Sequence, residues 1–279
     1  MKSFTISLGQ MQCDLEDIGK NTRKIADWLR RAADNGSSVL VLPELSLTGY
    51  QSFSGWNRAD LSGRVRDALA DLTGVGAETG VGLLVGYPEI TDEGAYIVSG
   101  YIERGAVVAA HRKTNLCNYL HYTEHLHFIA GDEVTCAAAD VANFGIVVCE
   151  DSWHAMNAIV ATQLGAEIIV NPSAASVTDG WDPADCLENW KKMSVGTAFL
   201  QTSYFVLCNQ AGPTADGKYM GGSHVVDPTG HLVGEPLSTE EVLAHIPLDG
   251  DLLAELRACR PLVENERMEI YRKYCNPRH

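Results

Sequence analysis

The stretch FTISLGQMQCDLEDIGKNTRKIADWLRRAADNGSSVLVLPE, residues 4–44, decides how the chain is read. FTISLGQ (4–10) and SSVLVLPE (37–44) are short β-branched runs of the length of buried strands. Between them Ile18, Ile25, Leu29 and Ala33 recur at helical spacing, and Asn35-Gly36 closes the segment as a helix stop. Strand, helix and strand in that order make a β-α-β unit. The same alternation continues outward. A helix is expected at about 57–79, then a strand over 80–90, then a hairpin over 95–113 whose turn lies near Glu103-Arg104-Gly105. Residues 134–150 read as a second hairpin that carries Cys149 at the end of its second strand, with a helix following at once. AEIIVNPSA (166–174), YFVLCNQAG (204–212), SHVVDPTGHLVGEP (223–236, turn at 227–230) and EVLAHIPL (241–248) supply further strands. A helix is expected near 183–203, and residues 250–274 read as a helical tail interrupted by Pro261.

No linker, repeat or low-complexity segment divides these elements, so the expectation is one α/β domain over 1–279 with helices covering sheet faces. The chain has 36 acidic and 21 basic residues, a formal charge of −15. Such a balance argues against a nucleic-acid partner or an anionic membrane surface. The N-terminus lacks an apolar run after a basic start, and no later segment approaches the roughly 20 apolar residues of a membrane span. The expectation is a soluble cytoplasmic protein. Its eight cysteines show no CxxC pairs and suit reduced thiols better than disulfides.

Three places put a reactive side chain just past an apolar strand. Glu44 follows VLP, Lys113 follows AVVAAHR, and Cys149 follows IVV. Taken singly, each has a plain reading: a solvated acid, a surface lysine, a buried structural thiol. Cys149 is also followed at once by Glu150 and Asp151, whose charge opposes thiolate formation. Ligands of α/β sheets gather at strand ends. Three strands ending on one edge would therefore bring carboxylate, ammonium and thiol together. Glu44 would then take the thiol proton, Lys113 would favour the anion and later the oxyanion, and Cys149 would attack.

LPELSLTGY (42–50), HRKTNL (111–116) and VVCEDSW (147–153), in that order, resemble the three signature segments of the nitrilase superfamily of carbon–nitrogen hydrolases. NPSA (171–174) and VLCNQAG (206–212) fit the same pattern, so the resemblance covers essentially the whole chain. It implies a four-layer αββα sandwich, α/β in class, that pairs into a homodimer, for which the 250–279 tail is an expected contact. It also implies a Glu44-Lys113-Cys149 triad and a second glutamate near the site, Glu124 in YTEHLHFIAGDE. The mechanism implied is attack by Cys149, an oxyanion held by Lys113 and the backbone N–H of Glu150, and hydrolysis of a thioester. No cofactor is expected.

CEDSW with TEHLHFIAGDE looks most like the glutaminase parts of glutamine-dependent NAD synthetases and nearby amidases. Without a second domain for a nucleotide in these 279 residues, ligation is not expected. Two departures fall beside the site: Cys117 where the family pattern has proline, and His154-Ala155 where many relatives have proline after the tryptophan. Nitrilase branches commonly have Cys-Trp-Glu, whereas Glu150 follows the cysteine here, so a small amide is favoured over a nitrile. An N-carbamoyl amine amidohydrolase or a nitrilase is the alternative, and a non-catalytic binding or scaffold protein of the same fold is the alternative of another class. Tyr119, Trp153 and Glu150 are weak substrate-binding candidates, with Tyr50 and 171–175 as further walls. His121, Glu124, His125 and His127 are metal-ligand types, and a helix over 121–125 would put His121 and His125 on one face. The spacing is not HExxH and no cysteine pair completes a set, so no metal site is expected.

Overall fold

A computed structural model of the chain describes residues 1–50, 58–178, 182–214 and 217–275. The opening unit is β1 (Phe4–Gln10), α1 (Ile18–Asp34) and β2 (Ser37–Val41). As the patterning predicts, β1 and β2 are parallel neighbours. Asp17 caps α1 by accepting from the Lys20 N–H at 2.9 Å. Ile18, Ile25 and Leu29 are buried as expected, together with Trp28 and Ala32, while Ala33 is only partly buried.

There follow α2 (Arg58–Thr79), β3 (Gly82–Ile90), β4 (Ala95–Glu103) and β5 (Ala106–Arg112). The β4–β5 connection is the two-residue turn Arg104-Gly105, with φ of 51° and 78°, the left-handed pair that matches strand twist in a tight hairpin. Next come β6 (Thr135–Ala138), β7 (Asn143–Ile146), α3 (Ala155–Gln163), β8 (Ile168–Ser173), β9 (Ser176–Thr178), α4 (Pro183–Gln201) and β10 (Tyr204–Asn209). β11 (Pro213–Thr214), β12 (Gly217–Tyr219), β13 (His224–Val226), β14 (Val242–Leu248), α5 (Gly250–Cys259) and α6 (Met268–Cys275) complete the order.

The strands form a six-stranded sheet, β14-β1-β2-β3-β4-β5, a five-stranded sheet, β13-β10-β8-β7-β6, and a small sheet, β11-β12-β9. The two large sheets pack face to face. Ile6, Leu8, Val39, Val41 and Tyr101 of one meet Phe144, Ile146, Ile168, Val170 and Val206 of the other. Tyr101 and Phe144, with ring centroids 5.5 Å apart, sit in this seam. The alternate residues face outward. Leu40, Leu83 and Val85 pack under Ile25, Leu29 and Leu72 of α1 and α2. Ile169, Phe205 and Leu207 pack under Ala158, Trp190 and Ala198 of α3 and α4. The central strands are thus buried on both faces, which is why they read as continuous apolar runs rather than alternating ones, whereas the edge strand β5 leaves Val107 and Val108 exposed. The order is helix, sheet, sheet, helix: a four-layer αββα sandwich.

Several boundaries differ from expectation. β2 stops at Val41 and β7 at Ile146, so Glu44 and Cys149 lie three residues beyond their strands rather than at their last positions. The helix after Cys149 does not begin at once, because a short 3-10 turn, Cys149–Trp153, precedes α3. Residues 223–236 keep one strand and an isolated bridge between Val226 and Leu232, since Gly234 turns left-handed at φ 80° and Pro236 follows. The small third sheet was not anticipated, because strands of two or three residues carry too little pattern. Residue 57 of the expected second helix and 276–279 of the tail lie outside the described residues.

Gly86 connects the fold to the site. Its N–H donates to Ser46 Oγ at 3.1 Å and its carbonyl accepts from the Leu47 N–H at 3.0 Å, so the Glu44 turn lies directly on β3. A Cβ there would come within 2.3 Å of Leu45 N and 2.6 Å of the Pro43 carbonyl. Gly86→Ala is expected to lower stability by roughly 1–3 kcal/mol in urea denaturation. Gly74→Ala, on an exposed face of α2 with nothing within 4 Å of the added carbon, is expected to raise it by about 0.5–1 kcal/mol.

Candidate active site

In the six-stranded sheet β2 runs parallel to β3, β3 antiparallel to β4, and β4 antiparallel to β5, so β2 and β5 end on the same edge. Glu44 follows the first and Lys113 the second. Cys149 comes from β7 of the other large sheet. The single edge expected from the sequence is therefore replaced by the facing rims of two sheets. Lys113 Nζ donates to Glu44 Oε1 and to Glu124 Oε1, both at 2.7 Å. All three side chains are at most 1% exposed. The Tyr50 hydroxyl also donates to Glu124 Oε1, and the Cys117 N–H donates to Glu124 Oε2 at 2.8 Å. Proline has no N–H, so Cys117, where the resemblance leads to an expectation of proline, supplies a hydrogen bond that proline could not.

One ammonium lies between two buried carboxylates, and the electrostatics follow. Burial opposes the charge of Lys113, but Glu44 and Glu124 outweigh it and hold the amine well above its ordinary pKa. Burial lifts Glu44; Lys113 pulls it down, Glu124 pushes it up again, and it comes to about 7. The Cys149 thiol neighbours this carboxylate closely enough to stabilise its charge, although Glu44 Oε2 has no partner of good hydrogen-bonding geometry. Burial and Glu44 hold the thiol well above its usual range, against the pull of Lys113 and a backbone hydrogen bond from Ala174. Lys113 favours the thiolate, while burial and the two glutamates act against it. Cys149 thus lies beside a carboxylate whose own pKa is raised toward neutrality.

Cys149 has φ 49°, a left-handed conformation that is costly for a residue with a Cβ. Its surroundings enforce it. Asn171 Nδ2 donates to the Val147 and Cys149 carbonyls at 2.8 and 3.3 Å, and Ser152 Oγ donates to the Cys149 carbonyl at 2.8 Å. NPSA thus braces the nucleophile loop: Asn171 holds its backbone, and the N–H of Ala174 addresses the sulfur.

Glu150 and Asp151 part ways. Asp151 is fully buried. Its Oδ1 accepts from the Thr114 N–H, the Thr114 hydroxyl and the Asn115 N–H at 3.0, 2.8 and 2.6 Å. Its Oδ2 accepts from the Val148 N–H at 2.9 Å and pairs with His111 Nε2 at 3.0 Å. One carboxylate therefore ties the segment that follows Lys113 to the segment that carries Cys149. Glu150 faces the cavity over Cys149 instead, with Oε2 accepting from the Tyr119 hydroxyl at 2.7 Å and Oε1 3.3 Å from His154 Nε2.

That cavity, about 190 Å³, has Tyr119, Glu150, Trp153 and Ala175 among its walls. Tyr50 and Asn171, expected as walls, instead support Glu124 and the Cys149 loop from below. Sequence reasoning missed Tyr122, Trp190 and Met220 as walls. The available signal was Cys186 and Trp190, four positions apart on one face of α4. Residues 121–125 are not a helix; a single 3-10 turn spans Glu124–Leu126. His121 Nε2 meets Ser176 Oγ at 3.0 Å, and His125 Nδ1 meets Asn118 Oδ1 at 2.6 Å. Glu124 turns inward to Lys113, so the four metal-ligand types diverge.

Burial would raise Asp151, but His111 and the Val148 N–H more than offset it and hold its carboxyl below the usual value. A depressed carboxyl contributes stability above its unfolded pKa and loses it as pH falls through the folded one. Asp151→Asn is accordingly expected to cost about 3 kcal/mol at neutral pH. In denaturant titrations the gap from the unaltered protein should close as pH falls below about 4. A gap that does not change with pH would assign the loss to shape rather than charge.

The profile of the family described as carbon-nitrogen hydrolase matches residues 5–258. Glutamine-dependent NAD(+) synthetase of Thermotoga maritima is 29% identical over 253 residues, covering 90% of this chain and 43% of the synthetase. The chain thus spans less than half the length of that relative. 2-Oxoglutaramate amidase of Bacillus subtilis is 25% identical over 270 residues, 96% of this chain and 99% of the amidase. The crystal structure of an amidase from Nesterenkonia sp. superposes with a TM-score of 0.80 at 24% identity, covering 97% of this chain and 96% of that one, which bears on the fold alone. With a profile that matches most of its length, the chain belongs to the carbon–nitrogen hydrolase family.

Proposed function

We propose that this chain hydrolyses the C–N bond of a small linear amide through a thioester on Cys149 and releases ammonia. The observation that carries the reading is the buried Glu44–Lys113–Glu124 cluster beside a thiol that opens to a cavity. A neutral thiol attacks an amide carbonyl poorly, so attack is coupled to transfer of its proton to Glu44, whose pKa of about 7 matches that task. The C–S bond forms as the carbonyl π pair moves to oxygen. The ammonium of Lys113 and the N–H of Glu150 face that negative charge. Glu44 then returns the proton to the amide nitrogen, the C–N bond breaks, and ammonia leaves. Water gives a proton to Glu44 and attacks the thioester. Collapse frees the carboxylic acid and restores the Cys149 thiol.

Glu124 plays a positioning part. With Tyr50 and Cys117 fixing its two oxygens, it holds the Lys113 ammonium from the side opposite Glu44. The likeness to an amidase along 99% of that relative's length supports hydrolysis without ligation.

The decisive measurement is ammonia release from a panel of primary amides, N-carbamoyl amines, glutamine and nitriles, with Cys149→Ala as the blank. Amide turnover is expected to exceed nitrile turnover, and kcat/KM should climb with pH through about 7 as Glu44 loses its proton. Glu44→Gln should lose about 10²–10⁴-fold and Lys113→Ala at least about 10²-fold, with melting curves confirming the fold. Nitriles turned over faster than every amide, or a folded Lys113→Ala that keeps most of its activity, would overturn the proposal.

A further inference from the structure

The cavity above Cys149 is aromatic on most sides, with the rings of Tyr119, Tyr122, Trp153 and Trp190 around it. Trp153 and Trp190 stand edge to face with centroids 5.1 Å apart. Among the described residues, Glu150 is the one carboxylate on its wall, and no lysine or arginine lines it. Lys113, deeper in, is already shared by two carboxylates. The chain as a whole carries −15.

With no lysine or arginine among the described lining residues, and with His121, Ser176 and Asn189 among its other polar groups, the cavity turns Glu150 and ring faces toward an entering substrate carboxylate. Both contacts are repulsive, because an aromatic face is negative and like charges in a low-dielectric pocket repel strongly. An ammonium finds the reverse: a carboxylate to receive its N–H groups and indole or phenol rings that attract cations. Glu150 is held for this by Tyr119, whose hydroxyl donates to Oε2 at 2.7 Å and leaves further lone pairs on the carboxylate.

We propose that the substrate is an amide whose far end carries a primary ammonium, seated against Glu150 among these rings, and that amides ending in a carboxylate are rejected. The proposal rests on the amide-hydrolase reading above. It separates this chain from glutamine and 2-oxoglutaramate, the carboxylate-bearing amides in the names of two of its relatives.

Three amides of matched length test it: 5-aminopentanamide, pentanamide and 4-carbamoylbutanoate. Calorimetric binding to Cys149→Ala is expected to rank them in that order, at least tenfold apart at each step. In Cys149→Ala carrying Glu150→Gln, with an unchanged melting curve, the ammonium amide should fall to the level of pentanamide. Equal affinities, tighter binding of the carboxylate, no binding by any of the three, or a ranking untouched by Glu150→Gln would each overturn the proposal. Ammonia release by the unaltered protein reads the reaction separately. Turnover of all three without preference leaves hydrolysis standing and removes the ammonium subsite. Ranked binding without ammonia from any amide does the opposite.

Discussion

An ammonium buried between two carboxylates is the constraint on which this molecule turns. Lys113 has no exposed surface, and an isolated charge at that depth is expensive. Glu44 and Glu124, each 2.7 Å away, make it tolerable. They do so by setting two carboxylates against one ammonium. Burial lifts Glu44 toward neutrality, and burial together with Glu44 raises the Cys149 thiol against the pull of Lys113. Stability alone would favour equal numbers of opposite charges, so the imbalance marks the cluster as more than structural.

The rest of the fold serves to hold those groups in register. Glu44 and Lys113 ride on one sheet and Cys149 on the other, so the site exists only while the two sheets stay packed. The apolar seam of Tyr101, Phe144 and their neighbours sets that packing. Asp151 sets it locally, gathering N–H groups from both sides of the seam onto one buried carboxylate. Gly86 lets the Glu44 turn settle onto β3 at a distance no side chain would permit. Each of these residues acts at a distance from the reacting atoms by fixing where Glu44, Lys113 and Cys149 sit.

The neighbours Glu150 and Asp151 show how chain direction divides labour. After Cys149 the backbone makes a tight 3-10 turn, which sends consecutive side chains to different sides. Asp151 goes inward to the brace and Glu150 goes to the cavity wall. Two acids that look redundant in the string therefore meet different surroundings: one is enclosed by N–H donors, the other stands among aromatic rings.

By itself the sequence determined the β-α-β opening, the positions of the large strands and helices, and the three segments bearing Glu44, Lys113 and Cys149. These are legible because apolar runs and helical periods are local properties, and because strands buried on both faces are written as unbroken hydrophobic stretches. The extent of the strands before Glu44 and Cys149 was overstated, since a positive φ at Leu45 or Cys149 leaves no trace in hydropathy. The function of Glu124 followed only from resemblance, for its charge means nothing until Lys113 is beside it. Tertiary structure alone decided that Glu44 and Cys149 meet in a buried setting that raises the pKa of both, that Asp151 braces while Glu150 faces the cavity, and that Trp190 of a distant helix closes the wall. Each depends on distances between groups far apart in the chain, and burial and Coulomb interaction respond to separation in space rather than in sequence.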